Sequence, residues 1–416
     1  MALDRPGLRR PARRRPGVNA SAFSRALYPS EAMFAGNRST VAYSAFGTGT
    51  LKIDALTTAF RALLASYPVL CAQVVPAEHG YVLHHAARPP ALQIGASTAL
   101  PRTGFTIADP DAVCAIDVAQ AGNDFRLTLL IHHSVADAVA GLRYLEVLCA
   151  FYTRVVETGS VGTVRSHPLA LSLEQFLADR GYVIPEAGAP PAPRAETAAD
   201  TTVVVRHGRT RLGREQTTKL VDTARAASLT VHGLACAAIL LAAHALSRSQ
   251  GPVTFGLTSS VNLRTRTVAP ITATQGTVIQ GADTAILAVG PDADPLRLAC
   301  AVLESLGSGL VGQTVHQAFL RQPRLQQQPT ENPLMVTNWG RIPVLRLPHR
   351  ARIHDFRATV RGRHIGLRAT TLPPSFFITT CDGRLSIDHP VWIADESDPT
   401  VAWSAALRRA FDHVLR

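Results

Sequence analysis

Two spacings of hydrophobic residues alternate along the first half of the chain. Apolar and polar residues alternate over residues 40–53, which predicts a β-strand. From Asp54 to Pro68 the apolar residues recur every three or four positions, so this stretch is predicted to be a helix capped by Asp54. The same reasoning predicts strands at 112–118 and 124–131, joined by a turn at Gly122 and Asn123, and a helix at 139–156.

The second half of the chain mixes strands and helices in the same way. The predicted strands are 202–205, 253–261, 334–338, 352–360, 375–381 and 385–388, and the predicted helices are 215–227, 231–246, 295–306 and 399–414. The last two strands flank Asp382-Gly383, which is a typical hairpin turn. Since strict βαβ alternation is absent, the predicted fold class is α/β with mixed sheets, arranged as two sandwich-like lobes that each contain a largely covered sheet.

Composition places the boundaries between these parts. Residues 185–202 are rich in proline and alanine and are predicted to be a linker between an N-terminal lobe, 19–184, and a C-terminal lobe, 203–416. Residues 1–18 hold six arginines and three prolines without apolar periodicity, so they are predicted to be a disordered basic tail.

Charge and cysteine usage narrow the class of protein. The formal net charge is +12, yet no helix-turn-helix, zinc-finger or basic-helix pattern is present, so nucleic acid is not an expected partner. The six cysteines stand mostly in apolar runs and form no CxxC pair, which favours reduced, buried thiols in a cytoplasmic protein. The longest apolar run, 234–243, is too short for a transmembrane segment.

Several patterns that resemble cofactor motifs are set aside. GSGLVG at 307–312 spells GxGxxG, but it follows a predicted helix, whereas a dinucleotide loop follows a strand. Neither a GxSxG nor a Walker A sequence occurs, and no cluster has zinc-ligand spacing. We therefore expect neither a metal nor a bound cofactor.

The segment LTLLIHHSVADAVAG, residues 127–141, is the strongest candidate for chemistry. A buried strand ends in His132 and His133, and Asp137 follows just before a helix. A histidine in a cleft is suited to general-base catalysis because its pKa lies near neutrality. The alternative is purely structural, with Asp137 only capping the helix, as His84 and His85 show that a histidine pair can end a strand without other site features.

HHSVADA resembles the HHxxxDG motif of the condensation-domain and chloramphenicol-acetyltransferase-like acyltransferase superfamily. Within it, the likeness is greatest to polyketide-associated proteins of the phthiocerol/phthiodiolone dimycocerosyl transferase type. Further resemblances follow in the family's order: YPSEAMF at 28–34, YPVL at 67–70, SSVNLR at 259–264 and VTNWGRIP at 336–343. One departure is that Ala138 stands where the motif has glycine.

The resemblance implies two lobes in a V with a tunnel between them, through which an acyl thioester and its acceptor meet. It implies that His133 deprotonates the acceptor and that Asp137 holds the loop through a salt bridge, for which Arg264 is the expected partner. His132 points to the opposite face of its strand and is expected to matter less. Trp339 is expected either in the core between the lobes or, with Asn338, near the substrate.

The predicted function is therefore acyl transfer from a carrier-protein or CoA thioester to an alcohol, or less readily an amine, in polyketide or lipid biosynthesis. The alternative is a condensation-fold protein without this activity, or with a cyclising one, that binds a carrier or pathway partner. Because acyl carrier proteins are acidic, a docking surface is expected among six arginines of the C-terminal lobe: Arg321, Arg324, Arg341, Arg346, Arg350 and Arg352.

Overall fold

The computed structural model describes most of the chain outside its predicted tail and linker. The described residues are 23–36, 38–101, 104–109, 112–184, 204–320, 331–361, 373–393 and 399–416. The predicted tail, 1–18, and the predicted linker, 185–202, lie outside them.

Strands and helices are mixed throughout the described residues. The strands are β1 (Ser24–Ala26), β2 (Thr40–Thr48), β3 (Ala72–Ala77), β4 (Gly80–His85), β5 (Leu92–Ile94), β6 (Cys114–Ala121), β7 (Asp124–His132), β8 (Val204–Arg211), β9 (Val253–Asn262), β10 (Gln280–Val289), β11 (Pro333–Arg341), β12 (Arg352–Arg361), β13 (Ser375–Cys381) and β14 (Arg384–Ile393). The helices are α1 (Pro29–Ala35), α2 (Ile53–Ser66), α3 (Ala138–Thr158), α4 (Leu173–Asp179), α5 (Arg214–Ala226), α6 (Val231–Ser247), α7 (Pro295–Val311), α8 (Thr314–Gln317) and α9 (Pro399–Val414), with a 3-10 turn at Pro68–Cys71.

Two large sheets form the framework. The first has the strand order β12-β2-β7-β6-β5, and the second has the order β10-β9-β11-β13-β14-β8. A third, small sheet has the order β1-β4-β3. Helices α2 and α3 share a hydrophobic core with the first sheet, while α6, α7 and α9 share one with the second. The predicted mixed α/β fold is confirmed.

Local sequence explains where most elements begin and end. The carboxylate of Asp137 accepts the free backbone N–H groups at the start of α3, and Gly159 ends that helix with a φ of 75°. Asp382 and Gly383 both have positive φ, as a two-residue hairpin between β13 and β14 requires. The prediction that Asp54 caps α2 is wrong, because Lys52 is the N-cap, the helix begins at Ile53 and Asp54 lies in its first turn. There its charge favours the positive end of the helix dipole.

Helix α7 shows why GSGLVG is not a dinucleotide loop. The helix continues through Gly307 and Gly309 to Val311, and Gly312 follows as its C-cap. None of these glycines lies in a turn between a strand and a helix, which dinucleotide binding requires.

One strand crosses between the two halves of the chain. The predicted strand at 352–360 exists as β12, but it pairs antiparallel with β2 at the edge of the first sheet rather than within the second. The first sheet therefore contains a strand from the segment 203–416. A hydrophobic pattern predicts that a strand forms but does not specify the sheet that it joins.

The position of β12 also creates a half-buried ionic contact between the sheets. Arg209 on β8 donates to Asp355 on β12 over 2.6 Å, and Arg357 on β12 donates to Asp388 on β14 over 2.8 Å. We call these four residues the distal junction.

Within the described residues, no individual helix combines the length and the apolar composition needed to cross a membrane. Only α5 and α6, taken together and bent by 108° at their break, meet such a criterion, and α6 is a buried core helix.

Candidate active site

Strand β7 lies between β2 and β6 in the middle of the first sheet and carries the histidine pair at its end. Its residues from Phe125 to His132 are buried, so the strand is fixed on both sides. Just beyond it, the backbone N–H of His133 donates to the carbonyl of Ser39 over 2.7 Å. The histidine pair therefore leaves a rigid element.

The imidazole of His133 is fixed in two directions. Its Nδ1 lies 3.1 Å from the carbonyl oxygen of Ala136, and its ring stacks on the ring of Phe34 with 3.9 Å between centroids and 15° between planes. Since a carbonyl oxygen only accepts, Nδ1 carries the proton, and Nε2 of the neutral ring keeps its lone pair. Burial lowers the pKa of His133 below its ordinary value, which favours that neutral form.

His132 has a different environment. Its side chain is buried, and its Nδ1 accepts the backbone N–H of Ser134 over 3.2 Å. Burial, reinforced by the neighbouring His133 and by the positive charge of Arg38, lowers the pKa of His132 to about 3. This histidine therefore stays neutral and supports the turn.

Asp137 holds the turn to the C-terminal half of the chain. One carboxylate oxygen accepts the backbone N–H groups of Val139 and Ala140, at 3.1 and 3.0 Å. The other accepts Nη1 of Arg264 over 2.5 Å and the backbone N–H of Ile279 over 2.8 Å. The predicted ion pair between Asp137 and Arg264 is present, and both side chains are buried. We call this pair the proximal junction.

Helix α1 is a part of the site to which sequence reasoning assigned no role. Its Glu31 is fully buried and binds the guanidinium of Arg25 through both carboxylate oxygens, at 2.7 Å each. Thr277 donates its hydroxyl to the same carboxylate over 2.7 Å, and Ser134 donates to the backbone carbonyl of Glu31. The segment YPSEAMF covers all but the last residue of this helix, but the contacts with Ser134 and Thr277 join residues far apart in sequence.

A cavity of about 310 Å³ lies between the two large sheets, and His133 lines it. The wall from the first sheet and its neighbours is mostly apolar: Met33, Phe34, Val41, Ala138 and Val360. The wall from the second sheet carries the polar groups: Thr258, Ser260, Gln280, Thr337 and Ser375. Ser260 and Thr337 share a hydrogen bond of 3.2 Å between their hydroxyls. The cavity thus offers one titratable base, hydroxyl groups and an apolar surface.

Ala138 lines this cavity as the first residue of α3, so the methyl group that replaces the motif glycine faces the candidate site. The close approach that needs a glycine occurs at Gly141. A Cβ atom there would lie 1.9 Å from the ring of Tyr43, whose hydroxyl donates to the backbone carbonyl of Asp137 over 2.8 Å. Helix α3 therefore starts normally at an alanine and requires glycine one turn later.

Trp339 and Asn338 point to different sides of β11, as adjacent strand residues do. Trp339 lines the cavity and packs on Tyr43 and Phe356, with ring centroids 5.1 and 6.0 Å apart. Its buried Nε1 has no hydrogen-bond partner. Asn338 is not among the cavity-lining residues, and its Oδ1 accepts the backbone N–H of Gly340 over 2.9 Å.

The described residues contain no group of three or more histidine, cysteine or acidic side chains that could bind a metal ion. Among the cavity-lining residues that the structure describes, His133 has the only titratable side chain.

Comparisons with known proteins agree on one family. The family model for the C-terminus of phthiocerol/phthiodiolone dimycocerosyl transferase matches residues 201–390. A phthiocerol/phthiodiolone dimycocerosyl transferase from Mycobacterium sp. (strain JLS) is 30% identical over 329 residues, which cover 71% of this chain and 76% of that protein.

Solved structures share the fold at lower identity. Polyketide synthase associated protein 5 from Mycobacterium tuberculosis has a TM-score of 0.74 and 23% identity, with 92% of this chain and 96% of that chain covered. The first condensation domain of the CDA synthetase has a TM-score of 0.63 and 15% identity, with 95% and 97% covered. The predicted condensation-type fold is confirmed.

Proposed function

The chain belongs to the phthiocerol/phthiodiolone dimycocerosyl transferase family of acyltransferases, and on that premise we propose that His133 is the general base of an ester-forming transfer from a thioester donor. The protein is an acyltransferase of lipid and polyketide biosynthesis. The acceptor is an alcohol, and the donor is a carrier-protein or CoA thioester.

The observation that carries this proposal is the fixed tautomer of His133. With Nδ1–H bound to the carbonyl of Ala136, the unprotonated Nε2 lies on the opposite edge of a ring that lines the cavity. Burial lowers the pKa of this histidine, so the base is already neutral at neutral pH. A neutral, oriented imidazole in a small, mostly apolar cavity is suited to removing a proton from a hydroxyl group.

The reaction balances without a covalent enzyme intermediate. Nε2 takes the proton of the acceptor hydroxyl while the oxygen attacks the thioester carbonyl carbon, which gives a tetrahedral oxyanion. When the carbon–sulfur bond breaks, the leaving thiolate takes the proton from the imidazolium. The products are an ester and a free thiol, and His133 returns to its neutral form.

Trp339 is the proposed donor to the oxyanion. A buried N–H group without a partner is rare in folded proteins, and this one belongs to a ring that lines the same cavity as His133. A substrate oxygen would satisfy it. Asn338, the other residue considered for this role, is not among the cavity-lining residues, and its Oδ1 accepts the backbone N–H of Gly340.

Trp339→Phe keeps an aromatic ring and removes the donor. We expect kcat to fall roughly 10² to 10³-fold, the range for losing one oxyanion donor. Trp403→Phe is the matched control, because Trp403 lies on α9 and packs on Phe376 in the second core. Equal kcat in both variants would remove Trp339 from the mechanism.

An acidic carrier or the phosphate of phosphopantetheine is proposed to bind the arginines at the end of β11 and just after it. Arg341, two residues beyond Trp339, is exposed, as are Arg346 and Arg350, and no ion pair involves any of these three among the described side chains. Arg352 lies 3.9 Å from Asp382 and is less available, while Arg321 and Arg324 lie outside the described residues. Arginine forks suit carboxylates and phosphates.

Salt tests the carrier proposal. Raising the ionic strength should increase KM for carrier-borne donors more than for short free thioesters, because only the carrier uses protein–protein electrostatics. Arg346→Glu with Arg350→Glu should have the same selective effect. Equal salt sensitivity for both donors would contradict carrier docking and would indicate that the enzyme uses small thioesters as donors.

The decisive experiment combines product mass spectrometry with His133→Ala. The purified protein is incubated with a panel of acyl thioesters and alcohols, and we expect ester formation to fall roughly 10² to 10⁴-fold in the variant while the fold is kept. His84→Ala is the matched control, since His84 lies on β4 outside the cavity wall. Near-full turnover without His133 would overturn the mechanism, and no ester from any pair would favour a binding protein.

A further inference from the structure

The ring of Phe34 covers one face of the proposed base. The two rings are nearly parallel, at 15°, and their centroids are 3.9 Å apart. The hydrogen bond from Nδ1 to Ala136 constrains the imidazole in its own plane, while the stacked ring constrains rotation out of that plane. Both rings line the cavity, so the contact lies at the reacting end of the site.

Phe34 is itself held in place from several directions. Ser134, in the turn that follows the histidine pair, donates its hydroxyl to the backbone of Glu31 over 2.7 Å, three residues before Phe34. The Glu31 carboxylate is bound by Arg25 and by the hydroxyl of Thr277, which belongs to the C-terminal half of the chain. Helix α1 is thereby fastened to the histidine turn and to the other lobe together.

We propose that Phe34 is a positioning residue for the general base, whose ring holds the imidazole of His133 in its reactive orientation and excludes water from one of its faces. This inference rests on the proposed function, because it assigns Phe34 an effect on a reaction that His133 performs. A histidine side chain has a broad, shallow preference for its outer torsion, so a flat neighbour is an effective means of fixing it. Direct stacking also adds an aromatic pair interaction.

Phe34→Leu keeps an apolar side chain and removes the flat ring. We expect kcat to fall about three- to ten-fold, the ratio that corresponds to one aromatic pair, with KM changed by less than about twofold. The apparent pKa of the acidic limb in the pH profile of kcat/KM should rise towards the ordinary histidine value, because water then reaches the imidazole. Phe34→Tyr keeps the ring and should restore both properties.

Phe105→Leu is the matched control for lost packing. Phe105 is buried in a separate small cluster with Ala42, Ala115 and Leu130, and it is not among the cavity-lining residues. We expect this variant to lose thermal stability while its pH profile stays at the wild-type position. A purely structural role for Phe34 would give the same pattern in Phe34→Leu and would overturn the proposal.

A readout without turnover completes the test. Stacking predicts that the imidazole protons of His133 resonate upfield through the ring current of Phe34, and that they return to ordinary positions in Phe34→Leu but not in Phe34→Tyr. Unchanged kcat, pH limb and resonances in Phe34→Leu would overturn the positioning role even if His133→Ala is inactive. Turnover in His133→Ala would instead overturn the proposed function, so the two failures are distinguishable.

Discussion

The proximal and distal junctions join the same two sheets with ion pairs, which are buried at the proximal junction and, apart from Asp388, half-buried at the distal one. They differ in how completely their carboxylates are hydrogen-bonded. At the proximal junction a single carboxylate, Asp137, accepts four donors, three backbone N–H groups and one from Arg264. At the distal junction two carboxylates face two arginines, and Oδ2 of Asp388 has no hydrogen-bond partner. Burial raises the pKa of Asp388 despite the arginines beside it.

This difference separates a catalytic support from a structural contact. A fully ligated carboxylate has one geometry and transmits it to the turn that carries His133. An incompletely ligated one holds the sheets together but leaves a buried carboxylate oxygen without a donor, which costs free energy. On the arginine side both junctions leave a buried Nε without a hydrogen-bond partner, so the difference lies in the carboxylates. The two junctions therefore predict different responses to the same kind of substitution.

Asp137→Asn should give the largest effect. Breaking a buried ion pair strands the charge of Arg264, which costs about 3–5 kcal/mol of the free energy of unfolding, and the same change displaces the turn that carries the base. Urea denaturation and kcat should both report it. If the variant kept wild-type turnover, the proximal junction would have no catalytic role.

Acid should weaken the distal region as well as the turn that carries the histidine pair, where the pKa of His132 is also lowered. Burial, reinforced by the charge of Arg357, lowers the pKa of His389 and of His207 to about 4 each, from about 6.5 in the unfolded chain. Between those values the unfolded state binds more protons than the folded state. The contribution of these two histidines to the free energy of unfolding is therefore fully present above about pH 6.5 and is lost as the pH falls towards 4. The raised pKa of Asp388 has the opposite effect, because a carboxylate that is protonated more readily in the folded state adds stability as the pH falls.

For His389 the loss is on the order of 2–3 kcal/mol, and it should be absent in His389→Gln. The measurement is the free energy of unfolding at several pH values between 4 and 7. An identical slope in both proteins would contradict the assignment.

Near each junction a glycine leaves the space that a neighbouring ring occupies. Replacing each glycine with alanine therefore gives a matched pair of variants. A Cβ at Gly141 would lie 1.9 Å from Tyr43, and one at Gly208 would lie 2.0 Å from His389. Overpacking of this kind costs about 1–3 kcal/mol, which exceeds the gain of up to about 1 kcal/mol that alanine offers in helix α3.

Both Gly141→Ala and Gly208→Ala should therefore lower the melting temperature. Only Gly141→Ala should also lower kcat, because Tyr43 supports the backbone of Asp137. A loss of kcat in Gly208→Ala as well would show that the two junctions are mechanically coupled.

Asp388→Asn should have the smallest effect, about 1 kcal/mol or less. Burial already disfavours its charge, and Arg209 keeps its contact with Asp355. Arg357 loses its carboxylate partner, but it is only half-buried and stays partly solvated, so its charge costs less than that of Arg264. Turnover should be unchanged, as measured with the same donor and acceptor. A loss as large as that of Asp137→Asn would erase the distinction between the junctions.

Sequence reasoning succeeded where the determinants are local. The strand that ends in His132, the cap at Asp137 and the Asp382-Gly383 hairpin follow from periodicity and turn chemistry, and Arg264 as the partner of Asp137 followed from the family resemblance. It failed where a contact depends on tertiary placement. Phe34 reaches His133, and Tyr43 fits against Gly141, only after helices and strands pack.

The register of β11 explains why the sequence does not decide whether Asn338 or Trp339 faces the cavity. Adjacent residues of a strand face opposite sides, so a shift by one position exchanges Asn338 and Trp339. The sequence VTNWG contains no signal for that choice, and the bulge between Asn338 and Gly340 makes a simple alternation rule harder to apply. The structure assigns the cavity side to Trp339.

The location of β12 in the first sheet has a consequence for synthesis on the ribosome. Strands β2 and β7 emerge early, but the strand that completes the edge of β2 is translated roughly 220 residues after β7. At bacterial and eukaryotic elongation rates that delay is on the order of ten to forty seconds. During it, β2 presents an unpaired strand edge, the kind of surface on which nascent chains aggregate and which chaperones cover.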